Sequence, residues 1–430
     1  MMPGPDSIYA TAITAPPSFP ASNTDLDCDT VVIGGGFTGM TAALVLAENK
    51  HDVILLEAQR IGVGGSGRNG GHLCQGWPND FRHISRHLNP DDAKTVWDAG
   101  MAAVDMLADR VRKHNIECDL QFGYLHTALH DRQMRDLVAL HDHWQARGYQ
   151  HLNLVEPGAG LAAHIGSSAY VGGLHDARSG HLQPLKYLYG LTTAAGQSGA
   201  RIFEGTAALA ITDDQTTGAK VIRLSTGHRV RAKSVLIAGN AYLANIDNRI
   251  MSRRLAPVIS SVLATEPVSE NLARHLLPQR AAVADCNTAL NYFRLDADNR
   301  MIFGGRASYS KIDLANITTS LRRRMLAVFP ELDAVDTEMA WSGRIGITVN
   351  RIPHFGSLDE NVFFAQGFSG QGVALTGLAG TVLADHVMGN SRLFTLLAKI
   401  PHMPFPGGIF RTPALAMGMS WYKMRDWLRL

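Results

Sequence analysis

The chain has 430 residues, of which 46% are hydrophobic and 18% charged, with a net charge of +2. That is enough for two or three domains with sizeable cores, and the near-balanced charge gives no case for a nucleic-acid partner. The four cysteines (Cys28, Cys74, Cys118, Cys286) are scattered without a C-x-x-C, which argues against a zinc site, any other metal centre or a disulfide scaffold and fits a reducing cytoplasm.

Residues 1–27 are rich in Pro, Ser, Thr and Ala and read as an irregular arm. No basic segment followed by an apolar one opens the sequence, and no apolar run reaches about 18 residues, so neither a secretory signal nor a membrane span is expected. The stretch from Asp29 to Gly71 organises the rest. Val31-Val32-Ile33 runs into Gly34-Gly35-Gly36-Phe37-Thr38-Gly39, a G-x-G-x-x-G, and an alanine-rich helical pattern follows. A second strand, Asp52 to Leu56, ends in Glu57, 23 positions after Gly34. Gly34 permits a tight turn, Gly36 lets a pyrophosphate approach the backbone, and Gly39 lets the helix pack on the sheet. The helix N-terminus presents free N–H groups to the phosphates, and Glu57 is placed to accept the hydroxyls of an adenosine ribose. A second glycine-rich loop follows at once, Gly64-Gly65-Ser66-Gly67-Arg68-Asn69-Gly70-Gly71-His72. A nicotinamide enzyme normally continues there into a helix, so this loop points to a longer ligand lying extended, FAD.

Further on, Asn89-Pro90 starts a helix with Val96, Gly100, Val104, Leu107 and Val111 at helical spacing. Leu120–Leu129 reads as a strand, 131–147 as an amphipathic helix and 169–174 as a strand, with His181 and Gln183 in a turn leading into a helix. Short strands are expected at 201–203, 207–211 and 221–224, and the apolar run Val235 to Ala238-Gly239 reads as a buried parallel strand returning to the nucleotide site. Runs at 257–265, 291–295 and 301–304 read as antiparallel strands, and 314–329 as a helix whose Arg322-Arg323-Arg324 reads as a solvated face. Strand 361–365 breaks into Gly367-Phe368-Ser369-Gly370-Gln371-Gly372-Val373, a third glycine-rich junction before a helix, where free N–H groups can stabilise negative charge on a flavin. The tail 401–430 has amphipathic helical spacing (Met417, Trp421, Met424, Trp427, Leu428), which fits a helix packed on its own domain or one lying on a membrane surface.

The Val-Ile-Gly-Gly-Gly-Phe-Thr-Gly start with Ser66-Gly67-Arg68-Asn69-Gly70-Gly71 resembles D-amino-acid-oxidase-type (DAO) flavoproteins, within them the gamma-glutamylputrescine oxidoreductase subgroup. The likeness covers nearly the whole chain, including Ser7-Ile8-Tyr9-Ala10. It implies an α/β (α+β overall) fold, with a glutathione-reductase-like FAD-binding Rossmann domain (28–77, 177–250 and 340–400) interleaved with an antiparallel-sheet substrate domain (78–176 and 251–339). It implies non-covalent FAD held by Gly34, Gly36, Phe37, Thr38, Gly39, Glu57, Ala58, residues Gly65 to His72, Ala207, Ala238, Gly239 and Ser369 to Val373. Arg68 meets the pyrophosphate or structures its loop. Pocket candidates are Tyr292, Trp341, Arg344, His72 and Arg294. Tyr292 and Arg294 alternate onto one strand face, where Tyr292 would orient an amine and Arg294 pair a distal carboxylate, the alternative for Arg294 being a solvated face. Trp341 is equally a core residue.

The implied reaction is oxidation of a C–N bond in a small amine. A neutral amine gives a hydride from its α-carbon to flavin N5, the imine hydrolyses to an aldehyde, and oxygen takes the electrons as hydrogen peroxide. Sarcosine-oxidase-like relatives carry a Lys on the strand matching Met301–Gly305 and a flavin-bearing Cys near 343–350; this chain has neither. Another acceptor, a quinone or a protein, is therefore the alternative to oxygen. A homo-oligomer is compatible with the sequence.

Overall fold

A computed structural model describes residues 4–406, apart from 244–245, 247–248, 288 and 309–314. The expected tail helix lies outside the described residues.

Two sheets divide the chain. In the first, five parallel strands run in the order Val362–Gln366, Arg229–Ile237, Leu26–Ile33, Val53–Leu56 and Arg201–Phe203. Val53–Leu56 and the second halves of the two central strands, Val31–Ile33 and Val235–Ile237, are apolar runs buried on both faces. Val32, Leu55, Leu236 and Ala365 face helices Phe37–Glu48, Pro184–Gln197 and Val373–Val387. Val31, Ile33, Ile54, Ile237 and Phe364 face the hairpin Ala208–Asp213 and Lys220–Leu224. Helices Phe37–Glu48 and Val373–Val387 cross so closely that a Cβ at Gly380 would stand 2.4 Å from the Thr38 carbonyl.

Among the described residues the second sheet has nine strands. Eight run in the order Thr337–Ile347, Ala256–Pro267, Arg300–Ser308, Tyr292–Leu295, Ala282–Asp285, Gln121–Ala128, Gly172–His181 and His72–Leu73, and Leu152–Val155 pairs with Gly172–His181. Every pairing is antiparallel except that of Ala282–Asp285 with Gln121–Ala128. Side-chain alternation sends Phe293, Leu295 and Phe303 to one face, against helix Ala315–Val328, with the Phe293 and Phe303 rings stacked 5.5 Å apart. The other face, carrying Tyr292, Ile302 and Trp341, turns toward the first sheet and its glycine-rich loops. Positions 177 and 340, the expected domain limits, fall inside strands Gly172–His181 and Thr337–Ile347 of this sheet, and helix Pro90–Lys113 packs on Val373–Val387.

Several local expectations need correction. The strand read at 169–174 runs from Gly172 to His181, because its register with Gln121–Ala128 continues through the polar residues His175, Asp176 and His181. The N-terminal arm contains helix Ile8–Thr11, with Ile8 and Tyr9 buried. Arg322 and Arg324 are not free on a solvated face: Arg322 donates to the Asp333 and Val335 carbonyls and Arg324 to those of Ala289 and Leu290. The Asn89 side chain accepts from the Asp92 N–H at 2.9 Å with Pro90 at the first helical position, as the cap pattern requires.

One buried carboxylate gives a pH prediction. Burial pushes Asp285 from 3.8 up to about 6, against hydrogen bonds that its carboxylate accepts from the Asn287 N–H and the Asn291 side-chain amide. The folded state then holds a proton that the unfolded state has released, so stability falls as pH rises from about 4 to about 6 and is flat above. Asp285→Asn is expected to flatten that part of the profile; a thermal-denaturation series between pH 4 and 7.5 with unchanged slope would refute it.

Candidate functional site

Three glycine-rich junctions converge on one cleft. At the first, Gly34 takes a φ of +112° as strand Leu26–Ile33 turns into helix Phe37–Glu48. A Cβ at Gly39 would lie 2.0 Å from the Gly34 carbonyl oxygen, so only glycine lets this helix sit on the strand end. Gly36 caps the helix with no side-chain acceptor, and the Phe37 N–H donates to Ser66 Oγ at 3.0 Å. Glu57 closes the unit: its carboxylate accepts from Gly35 N–H (2.8 Å) and Gln59 N–H (2.9 Å). Burial raises its pKa, with those amide donors opposing the shift.

The second loop is braced from within by Asn69. Its side-chain amide donates to the carbonyls of Gly65 (3.1 Å) and Ser66 (2.9 Å), and its Oδ1 accepts from Gly71 N–H at 2.8 Å. From outside, Trp341 Nε1 donates to the Arg68 carbonyl (2.9 Å), the Tyr9 hydroxyl to that of Asn69 (2.9 Å), and Arg294 Nε to that of Gly70 (2.8 Å). Arg68 itself donates to the Ser342 carbonyl at 3.1 Å.

At the third junction Gly367, Ser369 and Gly370 have φ of +79°, +53° and +94°. Ser369 tolerates this because its N–H donates to Gly346 and its hydroxyl to Gly367. Gln371 reaches back to the carbonyls of Gln75 (2.9 Å) and Gly76 (3.2 Å), tying this turn to the chain beyond the second loop.

The cleft between these junctions is lined by Gly34, Gly36, Phe37, Glu57, Ala58, Gly65, Ser66, Asn69, Ala207, Ala238, Gly239, Ser369, Gly370, Gly372 and Val373, and by Arg344. Thr38, Gly39, Gly67, Arg68, Gly70, Gly71, His72 and Gln371 are not among its lining residues, nor are Tyr292, Trp341 and Arg294. Trp341 and Arg294 are each only 2% exposed and stand behind the second loop. Sequence reasoning passed over Tyr242, which lines the cleft beside Gly64 and accepts the Arg344 N–H at 2.8 Å. Its place just beyond the returning strand was the available signal.

On the far side of the loop, the Tyr292 ring packs against Gly70 and Gly304 and its hydroxyl lies 3.2 Å from Ser260 Oγ. His72 is edge-on to both Tyr124 and Tyr292, with Nδ1 3.3 Å from the Tyr124 hydroxyl and a shielded Nε2 that has no partner. Burial, seconded by the Arg294 charge, drives the His72 pKa well below its usual value, so the imidazole is neutral. Burial also raises Tyr292 and pushes the Cys74 thiol up to about 12.

An open helix N-terminus, a glycine turn with no room for a side chain, a carboxylate at the second strand end and two further glycine turns along one cleft fit an extended dinucleotide. The sequence matches the family described as FAD dependent oxidoreductase (DAO) over residues 29–386. The chain belongs to this family: it is an oxidoreductase whose cofactor is FAD. It is 37% identical over 421 residues to gamma-glutamylputrescine oxidoreductase of Escherichia coli (strain K12), covering 98% of each chain. Among solved structures it resembles glycine oxidase from Geobacillus kaustophilus, with a TM-score of 0.70 and 21% identity over 84% of this chain and 95% of that one. L-proline dehydrogenase from P. horikoshii gives a TM-score of 0.69 at 19% identity, over 84% and 93%.

Proposed function

We propose that this enzyme oxidises the C–N bond of a small amine of the gamma-glutamylputrescine type to an imine, which water converts to an aldehyde, with oxygen as electron acceptor. The observation that carries this reading is the 37% identity to gamma-glutamylputrescine oxidoreductase across 98% of both chains. FAD, when bound, supplies the hydride acceptor. It would be held without a covalent link: Cys74 is a half-buried thiol, pushed up to about 12 by its surroundings, that is not among the cleft-lining residues, and residues 343–350 contain no cysteine.

The chain's own residues bind, orient and desolvate. The first junction would hold the pyrophosphate, Glu57 the ribose, and the Gly370 and Gly372 N–H groups, which have no partner among the described residues, would donate to the electron-rich edge of the flavin. Tyr292, with its hydroxyl near Ser260, orients the amine beside the second loop. His72 is neutral and the buried Arg294 stands nearby, so this wall carries no negative charge to stabilise an ammonium ion. Burial there favours the free base, which has the lone pair the reaction needs. A second reading, electron transfer to a quinone or protein instead of oxygen, is favoured by the absence of a lysine from Met301–Gly305.

Anaerobic mixing with a panel of amines and amino acids, followed by air, tests this. Bleaching of the flavin by gamma-glutamylated amines and recovery in air with peroxide is expected. Bleaching without recovery selects the second reading, and no bleaching by any amine overturns both. Tyr292→Phe is expected to slow flavin reduction about 10-fold or more while FAD content stays unchanged, the range of a lost orienting hydrogen bond. A wild-type reduction rate would remove Tyr292 from the pocket.

A further inference from the structure

Four consecutive carbonyls of the second glycine-rich loop are each held from behind. Trp341 Nε1 holds Arg68 (2.9 Å), the Tyr9 hydroxyl holds Asn69 (2.9 Å), Arg294 Nε holds Gly70 (2.8 Å), and the Leu182 N–H holds Gly71 (2.9 Å). These donors come from strand Thr337–Ile347, helix Ile8–Thr11, strand Tyr292–Leu295 and the residue after strand Gly172–His181. In a planar trans peptide the carbonyl of one residue and the N–H of the next point in opposite directions. Pulling the Arg68 and Asn69 carbonyls back therefore turns the N–H groups of Asn69 and Gly70 forward. Neither N–H has a hydrogen-bond partner among the described residues, and Asn69 lines the cleft.

The side chains behind the loop form one packed unit. The Tyr9 ring stands edge-on to Trp341 at 5.2 Å, and the Arg294 guanidinium lies 5.9 Å over the Tyr9 ring. Arg294 is buried, makes no ion pair among the described residues, and leaves one guanidinium nitrogen without a partner. The Asp296 carboxylate, two positions along the chain, feels the Arg294 charge without forming an ion pair with it, so the field of this buried cation is only partly met within the protein.

We infer that Tyr9, Trp341 and Arg294 are positioning residues for the cofactor: they fix the Asn69 N–H toward the cleft as a preset donor, turn the Gly70 N–H the same way beside it, and Arg294 places a positive charge behind them. A flavin gains negative charge on reduction, so oriented donors with a cation at their back favour the reduced form without any reorganisation. The N-terminal segment is then part of the cofactor site, although its sequence carries no cofactor motif.

The test uses the full-length holoenzyme and its apo-form, with FAD affinity by apo-protein titration, visible circular dichroism of the bound flavin and its midpoint potential as readouts. Tyr9→Phe and Trp341→Phe keep the rings and remove one donor each. Each is expected to weaken FAD binding about 10-fold, in keeping with the loss of one hydrogen bond, and to alter the flavin circular dichroism. The double variant is expected to lose less than the product of the two. Arg294→Met is expected to shift the potential negative, and Arg294→Lys to restore the potential but not the affinity. Wild-type affinity and circular dichroism in both Tyr9→Phe and Trp341→Phe would overturn the positioning role. An unchanged potential in Arg294→Met would overturn the charge role; if that variant does not fold, a negative potential shift in Arg294→Lys as large as the change in affinity would do so. The inference rests on FAD lying in this cleft, which Gly36→Val examines separately.

Discussion

Gly36→Val is expected to give a folded protein purified without FAD. Gly36 caps the dinucleotide helix, and a Cβ there would already meet Ser66 Oγ at 2.9 Å, before the two γ-methyls of valine are added. Those methyls would fill the space in front of the helix N-terminus, where the pyrophosphate is to meet free N–H groups. The strand, the helix and their packing do not depend on that space, because the close contact between them is made at Gly39. Affinity should fall at least about 100-fold, or roughly 2.7 kcal/mol. The ratio of absorbance near ~450 nm to protein absorbance, read beside far-UV circular dichroism, measures both halves of the claim, since the visible band belongs to the cofactor. Full flavin content in a folded Gly36→Val protein would remove the pyrophosphate from this turn.

Asn69→Ala should damage both cofactor binding and stability. The side chain makes three hydrogen bonds inside its own loop, to the Gly65 and Ser66 carbonyls and from the Gly71 N–H. At about 1 kcal/mol each, their loss costs roughly 2–3 kcal/mol where the loop is shielded from water. The loop contains five glycines between positions 64 and 71, so its unfolded backbone is unusually free, and the Asn69 bonds brace it from within while other donors hold its carbonyls from behind. FAD affinity is expected to fall about 30-fold or more, since 2 kcal/mol corresponds to about that factor. Chemical denaturation of the apo-protein and FAD titration check the two parts; wild-type values in both would show that the donors behind the loop hold the turn without Asn69.

Most of the cofactor side was legible because its signals are local. A strand, a G-x-G-x-x-G, a helix and an acid lie within one short stretch, and each glycine answers a constraint set by its immediate neighbours. The φ of +112° at Gly34 and the 2.0 Å clash at Gly39 are properties of the turn itself. The third junction was readable for the same reason, down to the break after strand Val362–Gln366. Short strands were less legible. Leu152–Val155, Ala282–Asp285 and His354–Asp359 are four to six residues long, too short for periodicity to stand out, and pairing partners over 100 residues away decide some of them.

The sequence by itself determined the dinucleotide unit, the choice of FAD over nicotinamide and the shared strand face of Tyr292 and Arg294, because helix and strand periods and glycine turns act within a few residues. Only the tertiary structure decided what that face meets. It set Arg294 and Trp341 behind the second loop, beside Tyr9 from the far end of the chain, with sequence separations of 224, 273 and 60 residues in their three hydrogen bonds to the loop. A hydrogen bond closed across so long a stretch leaves no pattern along the chain, since it depends on how two sheets pack and not on what precedes or follows either partner.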